Sequence, residues 1–317
     1  MKKGKKVSIL GAGNVGATIA YTLTMDGMCS EIVLVDINEA KAKGEAMDIL
    51  QGTALCPPVN IYASDYSATK DSDIVIITLG MARKPGMTRI DLAQNNVNII
   101  KSVMPQVTKY APDAIYVVVS NPVDILTYAI LKITGLPESQ VIGSGTLLDS
   151  SRLRAGVAEH IGLNPKNIHG FVLGEHGDSS MVPWSLVTIG GMPMATYCKE
   201  ICGKDSTCGH EVLLGIENDM RTAGAKVISL KGATFYAVAL STRRICECIV
   251  RDTRSIVAVS SMLHGQYGID DVCLSLPAVV GARGIEKFIT PPMTDDEVAK
   301  LRHSGDVLKG IISSIEI

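Results

Sequence analysis

The stretch Val7-Ser8-Ile9-Leu10-Gly11-Ala12-Gly13-Asn14-Val15-Gly16 decides the fold. A short β-prone run with three apolar residues around Ser8 leads straight into a G-x-G-x-x-G pattern, and a helical period begins near Val15. Such a pattern alone arises by chance and from helix packing, but between a strand and a helix each glycine has a task. Gly11 permits a tight turn, Gly13 lets the backbone approach a pyrophosphate, and Gly16 lets the helix pack closely on the strand. The positive end of the helix, around Asn14 and Val15, then faces the phosphates. Asp36 stands twenty residues past Gly16, at the end of the next strand. A carboxylate there accepts hydrogen bonds from ribose hydroxyls and repels a 2′-phosphate, so the expected cofactor is NAD rather than NADP. An ordinary acidic residue at a strand end is the bland alternative.

Outward from this stretch, β-rich runs alternate with helical ones. Residues 7–10, 32–36, 60–63, 74–79, 115–120 and 141–143 read as strands. Residues 15–25, 39–50 and 95–110 read as helices between them. Continuous apolar strands separated by helices imply a parallel sheet covered on both faces, an α/β doubly wound domain over residues 1–144. The second half, 145–317, reads as a mixed α+β substrate domain. Its expected helices are 150–161, 211–225, 233–250 and 295–315, and its β-rich runs are 168–173, 182–189, 256–262 and 271–280.

Composition narrows the class. The chain has 317 residues, 46% hydrophobic and 20% charged, with a formal net charge of −2. That suits two globular domains and gives no field broad enough to imply a nucleic-acid or membrane partner. The basic start, Lys2 to Lys6, reads as a solvated tail ahead of the first strand. It does not read as a signal peptide, because three glycines and Asn14 interrupt the apolar run after it. Eight scattered cysteines without a secretory signal imply reduced thiols in a cytoplasmic protein. Cys198, Cys202, Cys208 and His210 lack the C-x-x-C spacing of a zinc knuckle, so no metal is expected. No G-x-x-x-x-G-K-[ST] loop is present, which weakens any nucleotide-triphosphatase reading.

The chemistry rests on two short motifs, Asp149-Ser150-Ser151-Arg152 and Gly174-Glu175-His176-Gly177-Asp178-Ser179. Reducing a carbonyl by hydride requires a proton donor beside the oxygen, and histidine has the pKa for it. An isolated histidine is more often structural, but Gly174 and Gly177 bring backbone close to His176 and leave room for a ligand. Asp149 can fix its tautomer, or it can simply cap a helix. Arg152, one turn past Asp149, can grip a carboxylate through two parallel hydrogen bonds, or merely pair with Asp149 within the helix. Residues 80–91 read as a mobile basic loop carrying Arg83, Lys84 and Arg89. Such a loop can be solvated, or it can close over an anionic substrate and deliver an arginine to a carbonyl.

With these motifs in place, the chain resembles the L-lactate and malate dehydrogenase superfamily over nearly its whole length. The resemblance implies a Rossmann-type NAD domain, with His176 as acid/base, Asp149 as its partner and Arg152 as the carboxylate clamp. It further implies Arg89 as the carbonyl polariser, and Asn121 at the nicotinamide and substrate. Thr234, in Lys231-Gly232-Ala233-Thr234, is similar to the threonine that narrows the pocket of the lactate enzymes. Arg83 instead stands where malate enzymes bind a second carboxylate and lactate enzymes commonly carry glutamine. An unpaired arginine closed into a dry pocket costs ~3–5 kcal/mol, yet a long side chain on a loop can turn its head to water. The expected substrate pair is therefore pyruvate and lactate, with oxaloacetate and malate, or dual specificity, as the alternative. Arg154 and His169 match positions that bind fructose 1,6-bisphosphate in allosteric bacterial members, and a homotetramer is the family expectation. A dinucleotide-binding sensor without turnover is the reading from another class, and the intact set of Asp149, Arg152 and His176 argues against it.

Overall fold

Alternate residues of the strands are buried against opposite faces of one sheet. In β1 (Lys6–Leu10), Val7 and Ile9 join the core on one face, while Leu10 joins the other. The chain proceeds through α1 (Asn14–Asp26), β2 (Glu31–Val35), α2 (Glu39–Gln51), β3 (Asn60–Ala63) and β4 (Ile74–Ile77). Then come α3 (Arg89–Tyr110), β5 (Ile115–Val118), α4 (Val123–Thr134) and β6 (Val141–Gly143). In β4, Ile74 and Ile76 face the first core, and Val75 and Ile77 the second. Burial on both faces is what a parallel sheet layered between helices requires. The computed structural model describes residues 4–81, 86–201 and 209–317.

These six strands pair in parallel in the order β3-β2-β1-β4-β5-β6. The chain runs outward from β1 to β3 and then returns to β4 on the other side of β1. The carboxyl ends of β1 and β4 therefore flank a switch point, the place where such sheets open a crevice.

The second half comprises α5 (Leu147–Ile161), β7 (Ile168–His169), β8 (Thr188–Ile189), β9 (Met192–Pro193) and α6 (Met194–Glu200). It continues with α7 (His210–Lys231), α8 (Tyr236–Val250), β10 (Ser255–Gln266), β11 (Ile269–Gly281), β12 (Gly284–Phe288) and α9 (Asp295–Ile312). The hairpin strands β10, β11 and β12 are antiparallel to one another, and β10 meets β6 at the pair Ser260–Gly143. The described strands of both halves thus form one nine-stranded sheet, beside a small three-stranded one.

Several elements depart from the sequence reading for identifiable reasons. Helix α4 lies between the expected strands 115–120 and 141–143, where the sequence reading places no helix; every residue from Val123 to Leu131 is buried, although Asp124, Thr127, Tyr128 and Lys132 recur at helical spacing. Helix α3 begins at Arg89 rather than near Asn95. Thr88 and Asp91 form a reciprocal capping box there, which draws the end of the expected 80–91 loop into the helix. The run 168–173 shrinks to a two-residue strand, and 182–189 contains a short 3₁₀ turn at Trp184–Leu186. Cys198 is disulfide-bonded, against the expectation of reduced thiols, whereas Cys29, Cys56, Cys246, Cys248 and Cys273 are free. Cys202 and Cys208 lie outside the described residues. No helix among the described residues is long and apolar enough to cross a membrane.

Candidate active site

The glycine loop leaves β1 at the switch point and opens α1. Gly11 has φ +100°, a left-handed conformation that disfavours any side chain. A Cβ on Gly16 would overlap the Gly11 carbonyl oxygen, so helix and strand touch through backbone. A Cβ on Gly13 would meet nothing within 4 Å. Space therefore stands open over the start of α1, whose first turn holds no acidic residue and whose N-cap makes no side-chain hydrogen bond. An N-terminus left uncompensated in this way suits a phosphate. Asp36 lies alongside, accepting from Ala12 N at 2.6 Å and from Asn38 N at 2.8 Å. Gly11, Gly13, Asp36, Tyr66, Thr78 and Gly80 help to line a cavity of about 470 Å³ at the carboxyl ends of the strands. The residues present fit a dinucleotide.

At the far side of the crevice, α5 presents Asp149 and Arg152 from adjacent turns. Asp149 is not the helix cap, since Leu147 already begins α5. Its two oxygens are divided between two cations. Oδ1 takes Arg152 Nη1 at 2.9 Å, and Oδ2 takes His176 Nδ1 at 2.5 Å. The intrahelical ion pair and the histidine partnership are thus both present. Burial works against the charge on His176, but the Asp149 carboxylate and its hydrogen bond outweigh that, and Asp124 adds to them, so the imidazole's pKa is raised. Burial likewise opposes the Asp149 charge, and His176 and Arg152 overcome it, holding its pKa below the usual value. The arrangement favours the protonated form of His176, beside a guanidinium able to hold an anion.

The loop carrying His176 is fastened on several sides. Gly174 and Ser275 exchange backbone hydrogen bonds at 3.0 Å, and Glu175 N donates to Ser304 Oγ on α9 at 2.8 Å. His176 N donates to Asp124 Oδ2 on α4 at 2.8 Å. Glu175, buried, is ion-paired with Arg89 and accepts from Ser179 Oγ at 2.5 Å. A Cβ on Gly177 would lie 3.0 Å from Arg89 Nη2, so Gly177 leaves room for that side chain. Arg89 is thus placed beside the loop that carries His176 and paired with Glu175.

Asn121 precedes α4 through a cis bond to Pro122, and its side chain is exposed. Asn96, unmarked in the sequence, holds this turn. Its side-chain amide donates to Asn121 O at 2.7 Å, and its Oδ1 accepts from Met81 N at 2.8 Å. One buried side chain on α3 so ties the end of the β4 loop to Asn121. A buried, fully engaged asparagine on an otherwise apolar helix face is its only signal. Thr234 lies half-buried at the corner between α7 and α8, and Gly224 of α7 faces the Arg152 guanidinium. Arg154 on α5 and His169 on β7 stand away from this cluster; His169 is exposed, and Arg154 Nε is buried without a hydrogen-bond partner. Arg83 lies outside the described residues.

Comparison with known proteins agrees with this geometry. Family profiles described as lactate/malate dehydrogenase, NAD binding domain, and lactate/malate dehydrogenase, alpha/beta C-terminal domain, match residues 5–143 and 146–316. The L-lactate dehydrogenase of Thermoanaerobacterium saccharolyticum is 48% identical over 98% of this chain and 99% of its own. L-lactate dehydrogenase 1 of Clostridium acetobutylicum is 49% identical over 99% and 100%. The crystal structure of the minor L-lactate dehydrogenase from Enterococcus mundtii superposes with a TM-score of 0.95 at 36% identity, covering 100% of both chains. With two profiles spanning nearly its whole length, the chain belongs to the lactate/malate dehydrogenase family.

Proposed function

We propose that the chain is an NAD-dependent L-lactate dehydrogenase that interconverts pyruvate and L-lactate. The observation that carries this is the single carboxylate of Asp149 shared by His176 and Arg152. Bound NADH supplies the hydride; every other task falls to side chains. Arg152 receives the substrate carboxylate through the guanidinium nitrogens that Asp149 leaves free. His176, protonated and held by Asp149 at Nδ1, gives the Nε2 proton to the carbonyl oxygen as the alcohol forms, and takes it back in the reverse direction. Arg89, released from Glu175, polarises that carbonyl as the site closes and water leaves. Asn121 fixes the nicotinamide side, Thr234 keeps the pocket small, and Arg83 is the residue that would take a second substrate carboxylate. Residues 1–144 hold the cofactor and 145–317 the substrate. The relatives' names, L-lactate dehydrogenase throughout, favour pyruvate over oxaloacetate.

The same reading extends to assembly and control. We infer a cytoplasmic homotetramer serving fermentative glycolysis, with fructose 1,6-bisphosphate as an allosteric effector at Arg154 and His169. The unsatisfied Nε of Arg154 supports an anion there.

NADH oxidation by the purified protein tests these assignments together, with pyruvate and separately oxaloacetate, with and without the bisphosphate. The expected result is a higher kcat/KM for pyruvate, raised by the bisphosphate, and its loss in His176→Asn with NADH binding intact. Comparable turnover in His176→Asn would reject the proton donor. A preference for oxaloacetate would place Arg83 on a second carboxylate. Indifference to the bisphosphate would remove the effector.

A further inference from the structure

A second carboxylate meets His176 at its main chain, while the shared Asp149 holds its ring. Asp124 sits in the first turn of α4, three residues after Asn121, and is only 2% exposed. Its Oδ2 accepts the His176 main-chain N–H at 2.8 Å. Its Oδ1 faces the Ser260 hydroxyl of β10, and neither of these two buried atoms has a close hydrogen-bond partner. A buried carboxylate so incompletely satisfied is costly, and a residue that only packed or capped would be better apolar or amide there.

We propose that Asp124 is a positioning residue for His176: its carboxylate ties the His176 main chain to the turn that carries Asn121 and sets a second negative charge against the imidazole. This rests on His176 being the proton donor. The tie is geometrically economical. Asn121 and Asp124 belong to one turn of the cofactor half, and His176 belongs to the other half, so one hydrogen bond fixes proton donor against hydride site. A displacement of about 1 Å between reacting groups can cost about 10²-fold in rate.

The electrostatic surroundings are countable. The charged groups acting on His176 are Asp149 and Arg152 from α5 and Asp124 from α4; Asp149 and Asp124 favour its protonated form, and Arg152 opposes it. Asp124 in turn faces Ser260 from β10, Cys273 from β11, and Asp149. Burial holds the Asp124 pKa above the ordinary carboxylate value, and Asp149 adds to that; the Ser260 hydroxyl, the His176 N–H and the imidazolium work against the rise without cancelling it.

Asp124→Asn separates the two effects, because its amide oxygen can still accept the His176 N–H while the charge is gone. Asp124→Ala removes both. The measurement is the pH profile of kcat/KM for pyruvate reduction, together with NADH affinity, in wild type, both variants and His176→Asn. In wild type the rate falls as pH rises and His176 loses its proton. The expected result for Asp124→Asn is that this falling limb moves to lower pH while the acid-side plateau stays within about twofold. Asp124→Ala is expected to lose about tenfold or more of that plateau with NADH affinity unchanged. A profile of Asp124→Asn that superimposes on wild type overturns the proposal, whether or not Asp124→Ala folds. Full turnover in His176→Asn instead rejects the proton-donor assignment beneath it, so the two failures are told apart.

Discussion

Arg89, the first residue of α3, is ion-paired with Glu175, the residue immediately before His176. Glu175 is 1% exposed and keeps only Ser179 as a hydroxyl donor once Arg89 departs. To reach a carbonyl beside His176, Arg89 has to leave this buried acid. The pair therefore favours the parked arrangement over the closed one. A ligand shifts such an equilibrium only by its differential affinity for the two states, so whatever stabilises the parked state adds to KM. Arg89 is 36% exposed, so solvent screens the pair to about 0.2–1 kcal/mol. Glu175→Gln is expected to lower the KM for pyruvate by about two- to fivefold in steady-state assays, with kcat nearly unchanged. A raised KM would mean that Glu175 holds Arg89 in its working position.

Removing the shared carboxylate should do more harm. Asp149→Asn leaves an amide that can hold only part of the network and withdraws the charge that raises the His176 pKa. Pyruvate reduction is expected to fall about 10²–10⁴-fold at neutral pH, the range that general acid–base catalysis contributes. Its falling limb should shift to lower pH. The same ion pair bears on stability, and the signs differ for its two members. The raised His176 pKa gives stability that is complete below the unfolded value near 6.5 and is lost as pH climbs through the folded value. The lowered Asp149 pKa gives stability present above its usual 3.8 and lost as pH falls through the folded value. Thermal unfolding measured from acid to mildly alkaline pH should therefore show the wild-type advantage over His176→Asn narrowing at both ends. An advantage independent of pH would contradict both shifts.

Much of this arrangement is legible in the chain because it is local. The strand, the three glycines and Asp36 lie within thirty residues and impose their own geometry. Asp149 and Arg152 lie one turn apart, so a helix is enough to place them on one face. The hidden part is set by tertiary packing. Asp124 meets His176 across fifty-two residues, Glu175 meets Arg89 across two elements, and Asn96 joins two loops from a helix that starts earlier than its periodicity suggests.

Two glycines of the cofactor loop should fail in different ways. Gly16→Ala drives a Cβ into the Gly11 carbonyl oxygen and close to Thr78 Oγ1, both parts of the core crossing. Overpacking of this kind costs typically about 1–3 kcal/mol or more, so the Tm should fall. Gly13→Val adds a side chain to open space at a φ of −74°, which any residue adopts. Its Tm without ligand should stay close to wild type, while NADH binding, read by fluorescence titration, should be lost. Retained NADH affinity in a folded Gly13→Val would mean that the phosphates do not pass over this residue.

Cofactor choice turns on Asp36, whose carboxylate does two things. It holds Ala12 N and Asn38 N, so it shapes the glycine loop, and it lines the cavity from the side where a ribose would rest. Asp36→Asn keeps an acceptor of nearly the same size, and so preserves much of the first role while removing the charge. Like charges set against each other cost several kcal/mol. The ratio of kcat/KM for NADPH to that for NADH is therefore expected to rise by about 10²-fold in Asp36→Asn. Asp36→Ala should also weaken NADH, because the Ala12 and Asn38 amides lose their common acceptor. The contrast between the two substitutions isolates the charge from the scaffold. If both variants lose NADH and neither gains NADPH, Asp36 acts only on the loop, and the preference for the unphosphorylated ribose lies elsewhere along the cavity wall.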